Sequence, residues 1–252
     1  MAILGGQLAY SALMRLAPPS RYQKPDVVAA DEDAPNDLAL FFGDQFFELI
    51  RDKVVVDFGC GDGIQSVEMA RSGAARVYGI DIQASRLERG RGRAERFGVA
   101  GNCEFAERFE GKADIVISKD AFEHFADPAA ILRLMSTYLK PGGMVLASFG
   151  PTWLHPYGGH LFSIFPWSHL LFTEAAQIRW RSEFKDDGAT CFSECDGGLN
   201  QLTIRQFERY VEHSPFTLSW LDTVPIKGFQ MFKLRPFREF GSSIVRCKLE
   251  LT

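Results

Sequence analysis

Between residues 54 and 149, short apolar runs alternate with longer amphipathic stretches. Val54-Val55-Val56 is β-branched throughout and reads as a buried strand. Helical spacing follows over 64–72, and Arg76–Asp81 reads as a second strand. A helix over 85–97, a weak third strand at Cys103-Glu104-Phe105 and a clear fourth at Asp114–Ser118 continue the alternation. A helix over 128–139, stopped by Pro141-Gly142-Gly143, leads to a fifth strand over 143–149. Strands separated by helices build βαβ units and hence a parallel sheet. Upstream, the apolar residues from Leu38 to Ile50 predict one helix over about 36–51. Pro18, Pro19 and Pro25 break any earlier helix, so residues 18–33 read as an extended connector ending in Asp31-Glu32-Asp33. Residues 151–201 carry no simple period and are rich in aromatics, Gly and Pro, which marks an insertion or lid. A helix over about 203–213 and two strand-like segments, 216–224 and 244–251, complete the pattern. The division expected is an N-terminal segment over 1–35, a candidate lid helix, and a domain over 36–252 with the insertion inside it.

Composition narrows the partners. Basic residues number 28 against 32 acidic, a net charge of −4. The one dense basic run, Arg86 to Arg96, reads as a solvated helix face, so no nucleic acid is expected as a partner. Five cysteines, with no secretory segment, predict a reducing, cytoplasmic setting. The apolar start of the chain is interrupted by Arg15, and membrane association is not expected. The oligomeric state does not follow from the sequence; a homo-oligomer is compatible with it.

The first strand delivers Asp57 into Phe58-Gly59-Cys60-Gly61-Asp62-Gly63, a turn into a helix N-terminus. Glycine opens backbone conformations closed to other residues, and the helix end offers free N–H groups to an anionic ligand. The second strand ends in Asp81, placed to accept two ribose hydroxyls. A dinucleotide and S-adenosylmethionine both need such a pair. The dinucleotide fingerprint is Gly-x-Gly-x-x-Gly, whereas the order here is Asp57-x-Gly59-x-Gly61-x-Gly63. An acidic Asp57 suits an amino-acid ammonium better than a pyrophosphate.

With Gly79-Ile80-Asp81, the Asp114–Ser118 strand followed by Ala121-Phe122-Glu123-His124, and Leu139-Lys140-Pro141-Gly142-Gly143, the chain resembles the class I, Rossmann-like S-adenosylmethionine-dependent methyltransferases of small-molecule type. The likeness covers roughly residues 50–150. It implies an α/β fold: a mostly parallel seven-stranded sheet, helices on both faces, an antiparallel C-terminal strand, and the aromatic lid as an insertion. It further implies S-adenosyl-L-methionine as cofactor. Asp57, Gly59, Cys60 and Gly61 would hold its methionine part, Asp81 the ribose and Ile82 the adenine. Ser118 and Lys119 would border the methionine end. Many relatives carry an Asp after strand three; here Ala106 or Glu107 occupies that place. A noncatalytic binding protein and a nicotinamide-dependent oxidoreductase are the alternatives.

Methyl transfer from a sulfonium requires alignment of the acceptor and removal of its proton. Histidine titrates near neutral pH, which makes His124, His155 and His160 the candidate bases. His124 follows strand four; His155 and His160 bracket the loop after strand five. A zinc site from His155, His160, Cys191 and Cys195 has the wrong spacing, and no metal is expected. Trp153, Tyr157, Phe162, Phe165, Trp167, Phe172 and Trp180 crowd the insertion, with Phe229, Phe232 and Phe237 later. They fit either a pocket for an apolar or aromatic small molecule, or a satellite core.

Overall fold

The computed structural model describes residues 2–22, 37–195 and 197–252. Most of the expected connector, including Pro25 and the acidic triplet at 31–33, lies outside them. In chain order the elements are α1 (Gly6–Leu16), α2 (Leu38–Phe42), α3 (Phe46–Ile50), β1 (Val54–Phe58), α4 (Ile64–Arg71), β2 (Arg76–Ile80), α5 (Ala84–Arg96), β3 (Cys103–Ala106) and β4 (Ala113–Lys119). Then come α6 (Pro128–Tyr138), β5 (Leu139–Phe149), α7 (Ser168–Leu171), α8 (Glu174–Arg181), α9 (Ile204–Glu212), β6 (Phe216–Pro225), α10 (Arg238–Gly241) and β7 (Ser242–Leu251). The seven strands form one sheet in the order β3-β2-β1-β4-β5-β7-β6. β7 alone runs against the direction of the other six strands. This is the fold expected for the class I family.

The central strands β1, β4 and β5 are buried on both faces, so their apolar runs divide alternately between two cores. Val56, Val116, Val145 and Ala147 face α6 and α9. Val55, Ile115, Ile117 and Leu146 face α4, α5 and the α2–α3 pair. A third core lies apart from the sheet: Leu13 of α1 and Ala17 just after it pack with Phe162, Phe172, Trp180 and Phe192 of the insertion. The Trp180 indole N–H donates to the Ala17 carbonyl at 2.8 Å. The N-terminal segment therefore packs on the insertion.

Two element boundaries differ from expectation. The helix expected over about 36–51 is two short helices, because Gly43 adopts φ 95° and breaks the ladder. The Pro141-Gly142-Gly143 stop does not end α6, which already ends at Tyr138. Instead β5 starts at Leu139, paired with Ala113, and a register shift carries the chain through the turn residues before Met144 meets Ile115.

Candidate active site

Asp57 lies at the carboxyl end of β1, 2% exposed, and accepts from the Ser66 hydroxyl at 2.5 Å. Burial raises its pKa to about 6, while Ser66 and Lys119 pull the other way. The chain then turns with Gly59, Gly61 and Gly63 at φ 80°, 52° and 73°. The turn is tied to β2: Gly59 and Cys60 donate their N–H groups to the Ile80 carbonyl at 2.8 and 3.0 Å. Asp81 closes it, accepting from the Gly61 N–H at 3.0 Å and the Gln83 N–H at 2.9 Å. Each carboxylate oxygen keeps a lone pair for an incoming hydroxyl. Ile82 beside it is 90% exposed, an apolar surface at the mouth of the turn. Across from it, Ala106 and Glu107 are exposed at the end of β3, where Ala106 pairs in register with Ile80. Cys60 points inward; burial pushes its thiol well above the ordinary range, which leaves no nucleophile there.

Beneath the turn, one ring decides the glycines. A Cβ on Gly63, Gly79 or Gly90 would stand 2.5–2.6 Å from Phe105. Three helix and strand backbones thus close directly onto this side chain. The basic run of α5 is more than a solvated face. Arg89 pairs with Asp62 at 2.9 Å, Arg93 donates to the Asp62 carbonyl and Arg91 to the Phe105 carbonyl.

At the end of β4, Lys119 reaches Asp37 at 3.1 Å and Asp120 at 2.5 Å, with its ammonium 4.4 Å from the Phe41 ring centroid. Burial works against its charge, but the two carboxylates overcome that and raise its pKa. Ser118 is fully buried. Glu123 follows, also buried, its Oε1 accepting from the Gly150 N–H at 3.0 Å. Burial pushes its carboxyl up to about 8.

The three histidines meet different surroundings. His124 Nδ1 lies 2.8 Å from the Gly198 carbonyl, so Nδ1 carries the proton and Nε2 is left as acceptor. His160 lies across from it, ring centroids 5.4 Å apart. Its φ of 51° is unusual for a non-glycine residue, and desolvation lowers its pKa to about 4. His155 is turned into the protein: Nδ1 accepts from the Tyr157 N–H at 3.1 Å, and Nε2 is 3.4 Å from the Ser243 hydroxyl. Its pKa is also lowered to about 4 by burial. Among the described residues no group of three His, Cys, Asp or Glu gathers as metal ligands.

Several contributors have no local signal in the sequence. Asn200 donates to the Phe122 and Phe125 carbonyls at 2.6 and 2.8 Å, and its N–H to the Glu123 carbonyl, fixing the turn that carries Glu123 and His124. Asp37 reaches Lys119 from before α2. Of the insertion aromatics, Phe162, Phe172 and Trp180 are consumed by the third core, while Tyr157 and Trp167 remain exposed. A groove of about 520 Å³, lined by Phe42, Phe46, Leu49 and Trp220 among others, includes none of the turn residues and plays no part in this site.

Comparison with known proteins agrees with this geometry. A family model described as a methyltransferase domain matches residues 50–156. Over this segment, less than half of its length, the chain is similar to methyltransferase domains. The methyltransferase segment is 42% identical over 106 residues to a ubiquinone biosynthesis O-methyltransferase of Neisseria meningitidis serogroup C, covering 39% of this chain and 44% of that one. It is 39% identical over 121 residues to the enzyme of the same name from Acinetobacter baylyi, covering 45% and 50%. The match spans about half the length of these curated relatives. Among solved structures, an S-adenosylmethionine dependent methyltransferase from Mesorhizobium loti superposes with a TM-score of 0.55 at 14% identity, over 87% of this chain and all of that one. Geranyl diphosphate C-methyltransferase from Streptomyces coelicolor gives 0.54 at 15% identity, over 82% and 78%. At such identities these two speak for the fold.

Proposed function

We propose that this protein transfers a methyl group from S-adenosylmethionine to a hydroxyl of an apolar or aromatic small molecule. The observation that carries the reading is the turn at 57–63, closed by Asp81 and open at the sheet's carboxyl edge. The named relatives, which are O-methyltransferases, support oxygen as the acceptor atom. When bound, S-adenosylmethionine supplies a methyl group already activated for displacement by the positive charge on its sulfur. The chain's own residues then bind, orient and take a proton.

Asp81 would accept the ribose hydroxyls, and Ile82 and Ala106 would flank the adenine, with Glu107 or the main chain at Ala106 at its amine. Gly59, Cys60 and Gly61 would line the methionine part, with Asp57 near the ammonium and Ser118 and Lys119 along its far side. A carboxyl with its pKa near 6 ionises readily beside a cation. The Gly198 contact holds the His124 tautomer with Nε2 free to receive the acceptor's proton. His160 and His155 would orient the acceptor and its loop, because burial keeps both neutral. The insertion and α1 would cover the acceptor.

Calorimetry with S-adenosylmethionine and S-adenosylhomocysteine tests the donor side: binding of both is expected, and binding of neither sinks the reading. Radiolabelled methyl transfer to a panel of phenols tests the acceptor side. Product should carry an acid-stable methyl ether, and His124→Ala should lower kcat about 10²–10⁴-fold if Nε2 takes the proton.

A further inference from the structure

The segment between β6 and β7 faces two ways. Its inner side is pinned. Glu239 accepts the Ile204 and Arg205 N–H groups at 3.0 and 2.8 Å, capping the start of α9. Arg238 pairs with Glu208, and Lys233 with Asp222 at 3.2 Å. Gly241 lies under the Phe232 ring so closely that a Cβ would stand 2.0 Å away. Its outer side is apolar: Phe229, Met231, Leu234, Phe237 and Phe240 are between 44% and 60% exposed. Folded side chains of this size normally find cover, and five within twelve residues on one anchored segment mark an interaction surface.

Charge decides the partner. From Ile226 to Phe240 the segment carries Lys227, Lys233, Arg235 and Arg238 against one acidic residue, Glu239, which is turned inward onto the start of α9, on a chain whose net charge is −4. Lys227 and Arg235 are exposed, and among the described residues neither has an acidic partner. Aromatic and aliphatic tips flanked by unpaired cations fit an anionic lipid surface: the tips enter the headgroup boundary while the cations meet phosphate. The placement is consistent with this partner. β6 runs parallel to β5, so the segment leaves the sheet at the same carboxyl edge as Asp57 and Lys119.

We propose that residues 226–240 dock this protein on an anionic lipid bilayer, with the site mouth at the membrane surface. This revises the expectation of no membrane association. It stands on the exposed side chains and their charge, independently of the methyl-transfer reading.

The test is co-sedimentation of the full chain with vesicles of phosphatidylcholine, with and without phosphatidylglycerol. Binding to the phosphatidylglycerol vesicles that weakens with salt is expected. The double variants Phe229→Ser/Phe237→Ser and Lys227→Glu/Arg235→Glu should each bind at least about tenfold more weakly. Unchanged S-adenosylmethionine affinity and circular dichroism show that the variants are folded; all four residues lie on the outer side, away from the pinned contacts. No sedimentation with anionic vesicles at low salt overturns the proposal. So does equal binding by wild type and both variants. Loss of a dimer in the serine variant, without vesicle binding by the wild type, overturns it in favour of a second copy of the chain.

Discussion

The proposed donor half and the proposed acceptor half of the site are built on opposite plans. Around the turn at 57–63 the polar groups that shape the loop are already paired inside the chain. Asp57 has Ser66, Asp81 has two backbone N–H groups, and Asp62 has Arg89. Beyond β4 and β5, among the described residues, buried polar atoms lack partners, Glu123 Oε2, Thr152 Oγ1 and His160 Nε2 among them; on the donor side Ser118 Oγ, at the end of β4, is left in the same state. Buried polar atoms are normally satisfied, and an unpaired one costs about 1–3 kcal/mol. The difference teaches where the fold is finished. The donor half is preorganised by backbone and short side chains, whereas the acceptor half holds polar capacity in reserve next to His124.

The two halves also rest on separate cores, which the largest expected effect can break. Trp180 is fully buried in the third core, away from the sheet. Trp180→Ala should lower stability by about 3–5 kcal/mol, read by urea denaturation. S-adenosylmethionine affinity should stay within about twofold at low urea, because Trp180 touches nothing in the turn. Parallel loss of cofactor binding would show that the halves fold as one. Next in size is Asp81→Ala. It removes the acceptor for Gly61 and Gln83 as well as the proposed ribose partner, and should weaken S-adenosylmethionine binding by about 1–3 kcal/mol in calorimetry. An unchanged affinity contradicts the role given to Asp81.

A pH series sharpens the contrast on the acceptor side. Glu123, pushed up from 4.5 to about 8, holds a proton in the folded state that the unfolded chain has released. Its contribution is fully present below pH 4.5 and lost as pH rises through 8. His155 and His160, pushed down from 6.5 to about 4, act oppositely: their contribution is present above pH 6.5 and lost as pH falls toward 4. Urea midpoints should therefore fall on both sides of mildly acidic pH. Glu123→Gln mimics the protonated carboxyl and should flatten the alkaline side alone, by on the order of 1 kcal/mol at pH 8. A variant profile that still falls between pH 6 and 8 would remove Glu123 as the cause.

What could be read in the sequence follows the same division. The turn, Asp57 and Asp81 were legible because backbone demand writes itself as glycine at fixed places along a strand–turn–helix unit. The central strands β1 and β4 were legible because strands buried on both faces need continuous apolar, largely β-branched runs, whereas β3, exposed on one face, left only a weak signal. The α2–α3 break was missed because apolar residues on both sides of Gly43 continue one helical period. The early start of β5 was missed because Pro141-Gly142-Gly143 signals a stop wherever it stands. The acceptor side was least legible. Asn200 under the Glu123 turn, Asp37 on Lys119 and the facing rings of His124 and His160 join residues far apart in the chain, and no local period records such contacts. The aromatics of the insertion left pocket and core open; burial assigns Trp180, Phe162 and Phe172 to core.

The smallest expected effect tests whether the arginines of α5 brace the donor loop or only decorate it. Arg89 and Asp62 meet at 2.9 Å, but their side chains are 52% and 28% exposed. Water screens such a pair, and ordering a long arginine costs side-chain entropy, so exposed pairs contribute about 0–1 kcal/mol. Asp62 is held a second way, since Arg93 donates to its carbonyl at 3.3 Å. The loop's shape depends mainly on Asp81 and the Ile80 carbonyl, which Arg89→Ala leaves in place. Arg89→Ala, Asp62→Ala and the double variant should therefore give a coupling energy below about 1 kcal/mol in S-adenosylmethionine affinity, shrinking further as salt shortens the Debye length to about 3 Å at 1 M. A coupling above about 2 kcal/mol, or one indifferent to salt, would mean that the ion pair shapes the loop, and that the donor half is organised by α5 as much as by its own backbone.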